Sequence, residues 1–139
     1  MSNTSVSDQA VAIAEAWLSA CQMRDVYSDA PDYRAWLYVY DARHSGVLEL
    51  IRSTDLTQGG ACFALSVLLD LPPVQTPEDF HTLLLLSEWL NGITLITKDF
   101  GADGALMLQK KGDLASLTEQ TLMETFRSLC EAKNFFEEA

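Results

Sequence analysis

From Phe63 to Leu71 every second residue is large and apolar (Phe63, Leu65, Val67, Leu69, Leu71), and Pro72-Pro73 ends the run. A spacing of two puts these side chains on one face of an extended chain. Such a strand cannot stand alone. It needs hydrogen-bonded neighbours at its edges and a second layer over its apolar face. Two strand-like runs upstream can supply the neighbours. Ala35–Ala42 carries Trp36, Tyr38 and Tyr40 on one face and Leu37 and Val39 on the other. A turn around His44-Ser45-Gly46 leads to Val47–Ile51. A hairpin is expected downstream, with strands Ile93–Phe100 and Ala105–Lys110 joined by Gly101-Ala102-Asp103-Gly104.

Helical spacing supplies the covering layer. Ala10, Ile13, Ala14, Trp17, Leu18 and Cys21 recur with that period, which predicts a first helix over Asp8–Met23. The cluster from Tyr27 to Asp32 reads as the turn that ends it. Thr76 is placed to cap a second helix with Pro77 as its first residue, and Asn91-Gly92 reads as its stop. Ser116 or Thr118 caps a third helix to about Phe136, with Leu122, Met123, Phe126, Leu129, Cys130 and Phe136 in one stripe. The expected order is α-β-β-β-α-β-β-α, an α+β domain with a curved antiparallel sheet covered by helices.

With 139 residues, 48% of them hydrophobic, the chain has material for one domain with a single modest core, and residues 1–7 read as a tail. The formal net charge of −11 repels nucleic acid and anionic lipid, so neither is an expected partner. No apolar stretch approaches the roughly 20 residues that a membrane span needs. The N-terminus has no early Lys or Arg and is broken by Glu15, unlike a signal peptide. Three cysteines at distant positions form neither a disulfide framework nor a CxxC pair, which fits a reducing cytoplasm.

Motifs for catalysis are missing. No GxxxxGK, HExxH or GxSxG occurs. Glu78 and His81 make one Glu-x-x-His, where a two-metal carboxylate site needs two plus further carboxylates. Counting a calcium loop from Asp99 puts Gly101 at position 3 and Lys110 at position 12, where an oxygen donor and a Glu are required. No enzyme, metal or cofactor is therefore expected.

The second helix is the informative element. At about 100° per residue, its apolar residues between Phe80 and Leu90 fill an arc of roughly 260°, far wider than one buried stripe. Either flanking helices bury it within the monomer, or it meets a second copy, with Leu85 alone beside the polar sector and Leu85 and Trp89 in or near the contact. The Trp36–Tyr40 strand is apolar on both faces, so Tyr38 and Tyr40 are either half-buried cover or a docking surface for an extended peptide.

A small acidic chain of this element order resembles the class I type III secretion chaperones. The resemblance runs from Tyr33 to Phe136 and rests on Leu65–Pro73, the leucine-rich helix Phe80–Asn91, the hairpin Ile93–Lys110 and the closing helix. It implies a cytoplasmic homodimer that binds the N-terminal region of a secreted effector in an extended state. It further implies a dimer interface of Leu83, Leu85, Leu86, Trp89, Ile93 and Leu95. Effector-binding patches would lie on the first helix (Trp17, Leu18) and on the sheet (Trp36, Tyr38, Tyr40). The bacterial sensory-transduction regulators, which share this fold, are similar through Leu90-Asn91 and the hairpin, and imply a non-enzymatic regulator instead.

Overall fold

A computed structural model of the chain describes residues 5–52, 61–70, 76–88, 90, 92–98 and 105–138. The expected strand ends at Leu71 and Phe100, the hairpin turn at 101–104 and the first four residues of the tail lie outside them. The rest of the expected tail is not loose: Val6 is buried in the core cluster, and its N–H donates to the Pro31 carbonyl at 2.7 Å.

The first helix, α1 (Asp8–Leu18), is opened by Ser7, whose hydroxyl accepts from the Ala10 N–H at 3.1 Å. It stops short of Met23. The Ser19 hydroxyl donates to the Ala16 carbonyl at 2.6 Å, and the Ala20 and Cys21 N–H groups reach back only three residues, to Trp17 and Leu18. Such tight bonds close a helix end. The chain then forms β1 (Met23–Ala30), where the sequence predicted a helix end and a turn.

Five further strands complete the sheet described: β2 (Tyr33–Asp41), β3 (His44–Arg52), β4 (Ala61–Leu68), β5 (Ile93–Lys98) and β6 (Ala105–Asp113). They lie in the order β1-β2-β3-β4-β6-β5, every pair antiparallel. The expected order thus gains one strand ahead of β2. The class is as read: α+β, a curved antiparallel sheet with helices.

The β2–β3 reversal falls at Ala42-Arg43, ahead of the expected turn at His44–Gly46. Asp41 sets it there, because its Oδ1 accepts from the N–H groups of Arg43 and His44 at 2.8 and 2.9 Å and pairs with His44 Nδ1 at 2.8 Å. The Arg43 N–H in particular holds the Asp41 carboxyl below its usual pKa. Gly46 is thereby left inside β3.

The register sorts the side chains onto two faces. Trp36 opposes Leu48, Leu48 opposes Leu65, Leu50 opposes Phe63, and Val67 opposes Leu108. These residues form the core with Ala14, Trp17 and Leu18 of α1 and Leu122, Phe126 and Leu129 of the last helix, α3 (Glu119–Glu138). Reciprocal bonds between Thr118 and Thr121 cap α3: Thr118 Oγ1 accepts from the Thr121 N–H at 3.0 Å, and Thr121 Oγ1 from the Thr118 N–H at 2.8 Å. The middle helix, α2 (Pro77–Ser87), begins as predicted, with Thr76 Oγ1 accepting from the Asp79 N–H at 3.1 Å. It ends at Ser87, ahead of the predicted stop.

Candidate functional site

The second sheet face carries Leu37 opposite Val47, Val47 opposite Ser66, and Ser66 opposite Gln109, with Leu68 opposite Met107 in the adjacent row. Leu37, Ser45, Val47, Leu68 and Met107 line a groove of about 260 Å³. Its walls come from β2, β3, β4 and β6 alone. Leu68 is 38% exposed, too open for a core leucine, while Val47 and Met107 are buried beneath it.

A polar cluster adjoins the groove on the same face. Glu49, two residues along β3 from Val47, is buried, accepts a hydrogen bond from the Tyr33 hydroxyl, and accepts another from Gln109 Nε2 at 3.4 Å. Burial, and then the Glu49 carboxylate it bonds, raises the Tyr33 pKa well above its ordinary value, so the phenol stays a donor. Ser66 Oγ is buried with no hydrogen-bond partner among the described residues. A second groove, of about 390 Å³, lies between α1 and α3, lined in part by Ala16, Trp17, Ala20, Met123 and Arg127.

Four of the five residues expected to bind an effector are core residues. Trp17, Leu18, Trp36 and Tyr38 are buried, and Tyr40 is half-buried. The Trp17 ring meets Tyr38 edge-on with centroids at 5.3 Å, stacks on Tyr40 at 6.1 Å and meets Phe126 at 5.5 Å. The physical reason is the side on which α1 and α3 pack: they cover the aromatic face of β2 and leave Leu37 to the groove. Of the five, Trp17 lines the groove between α1 and α3, and Tyr38 lines the strand-built groove of Leu37 and Val47.

The residues expected at a dimer interface separate. Leu83 is buried in the core cluster, and Ile93 and Leu95 are half-buried against it. Leu85 stands outside at 47% exposure. The Leu86 side chain and Trp89 lie outside the described residues.

Glu78 and His81 are both exposed on α2. Among the described residues, no group of three or more His, Cys, Asp or Glu is placed to hold a metal ion. The cysteines are free and half-buried; burial pushes the thiols of Cys21 and Cys130 up to about 11, against an opposing pull from Arg24 at Cys21. No helix among the described residues is long and apolar enough to cross a membrane. Against known proteins, the chain matches no family model and no curated relative.

Proposed function

We propose that the chain is a cytoplasmic, non-catalytic chaperone that self-associates and holds the N-terminal region of a secreted effector in an extended, soluble state. The groove of Leu37, Val47, Leu68 and Met107 carries this reading, because strands alone build it and it offers apolar surface to an extended segment. Burying one large aliphatic side chain there is worth about 1.5–3 kcal/mol. The net charge of −11 keeps loaded complexes apart in solution. Leu85, exposed on α2, offers an apolar side chain for self-association on that side of the molecule.

Co-expression with N-terminal segments encoded by neighbouring genes tests the reading. A segment insoluble alone should become soluble and comigrate with the chain. Leu68→Asp should release it while circular dichroism stays that of the wild type. If no segment is retained, or Leu68→Asp retains it as well as the wild type does, the reading fails.

A further inference from the structure

Three of the six large apolar side chains exposed among the described residues lie on β1: Met23 at 64%, Val26 at 66% and Tyr27 at 51%. β1 is the edge of the sheet, so its outward backbone groups are open to another strand. Edge strands are commonly guarded by charges and bulges, and β1 has both. Its register against β2 runs from Val26–Trp36 to Ser28–Ala35, leaving Tyr27 as the extra residue.

With Tyr27 set aside, β1 is complementary to itself. Arg24, Val26 and Asp29 oppose Tyr38, Trp36 and Arg34 and so share the helix-covered face; Met23, Asp25, Ser28 and Ala30 share the other. A two-fold axis through Val26 brings Val26 against its own copy. It also brings Arg24 against Asp29 of the second copy, Asp25 against Ser28, and Met23 against Ala30. Every pair falls on one face, as an antiparallel ladder requires. Both symmetry-related Arg24–Asp29 pairs join opposite charges. Copies of net charge −11 repel at long range, so a self-contact needs such local complementarity. The Arg24 guanidinium donates through Nη1 to the Glu15 carbonyl at 3.1 Å, which leaves its other N–H groups for Asp29.

We infer that β1 pairs antiparallel with β1 of a second copy about a two-fold axis at Val26, continuing the sheet across both chains. The contact is isologous and lies at the opposite edge from β5, apart from any contact made through α2.

Disulfide trapping reads the axis directly. Facing residues in an antiparallel pair have Cα atoms about 4.5–5.5 Å apart, within disulfide range. Under mild oxidation Val26→Cys should give a covalent dimer, mapped by mass spectrometry to residue 26 in both chains. Met23→Cys, which faces Ala30, should link far more slowly. Arg24→Asp alone and Asp29→Arg alone each turn both pairs repulsive and should slow the Val26→Cys link about tenfold. An equimolar mixture of those two variants restores opposite charges and should recover it as a mixed dimer. A Val26→Cys chain that stays single overturns the inference, as does a Met23→Cys chain that links equally fast. So does a mixture no better than its components.

Discussion

Tyr38 and Gly46 show how one missing methyl group fixes a sheet. The Tyr38 hydroxyl donates to the Ser66 carbonyl at 2.7 Å, a bond buried between β2 and β4 that crosses over β3. Gly46 is the β3 residue it crosses. A Cβ there would run into the Ser66 carbonyl oxygen and come within 3.1 Å of the Tyr38 hydroxyl. Tyr38→Phe should cost about 1–2 kcal/mol in urea unfolding, the price of leaving a buried carbonyl without its donor. Gly46→Ala should cost about 2–3 kcal/mol through overpacking. Adding Tyr38→Phe to Gly46→Ala should not relieve it, because the nearest obstacle is backbone; a rescue would show that the hydroxyl was the obstacle. The thiols give a pH signature. Cys21 and Cys130 are raised to about 11, so in the folded chain they are protonated at neutral pH. Alkylation of both by iodoacetamide should rise with a midpoint near 11, against about 8.5 in urea. Since the folded values are the higher ones, their contribution to stability is complete below about 8.5 and is lost as pH rises towards 11. Folded-state alkylation centred near 8.5 would mean that the thiols are not buried as described.

At the scale of elements, the helix starts were legible because capping is local chemistry: Thr76 and Thr118 meet N–H groups three residues away. β1 was not legible. Its first five residues are all exposed, so it carries no alternation of buried and open positions, and β2's backbone holds it in place. Helix ends were overrun for a related reason, since Cys21 and Leu90 continue the apolar spacing past the last helical residue. α3 held a different surprise, a lysine on the apolar side of the helix. Lys133 is buried; its Nζ donates to Glu137 Oε1 at 2.7 Å and to the Leu68 carbonyl at 3.2 Å. Glu137 Oε1 also accepts from the Asp70 N–H at 3.2 Å, so one ion pair ties the end of α3 to the end of β4. Its partners lie 65 residues upstream or one turn along the helix, and no composition argument reveals the first. Lys133→Met and Glu137→Gln should each cost about 3 kcal/mol, because each strands the other partner. The double variant should cost less than the sum by more than 1 kcal/mol. Simple additivity in urea unfolding would show that the two groups are solvated.

The whole molecule explains why the class was readable and the site was not. Alternation in β2 announces two apolar faces, but only the packing of α1 and α3 decides which one is covered. The groove gathers Leu37, Val47, Leu68 and Met107 from four strands far apart in sequence. Their meeting is a product of register, and no motif records it. The two proposed self-contacts lie on separate surfaces, Leu85 on α2 and the β1 edge. If both are isologous, each copy can hold two neighbours and association does not close at the dimer. Sedimentation velocity over a range of concentrations should then show wild-type species larger than a dimer. Leu85→Glu places like charges in the α2 contact, so growth should stop at a dimer joined through β1. Arg24→Asp should stop it at a dimer joined through α2, and the two substitutions together should leave a monomer. All three chains should keep wild-type circular dichroism, because Leu85 and Arg24 are exposed and contribute nothing to the core. Growth past the dimer in Leu85→Glu would remove α2 as an interface. An unfolded Leu85→Glu chain would make Leu85 a core residue, which its 47% exposure argues against.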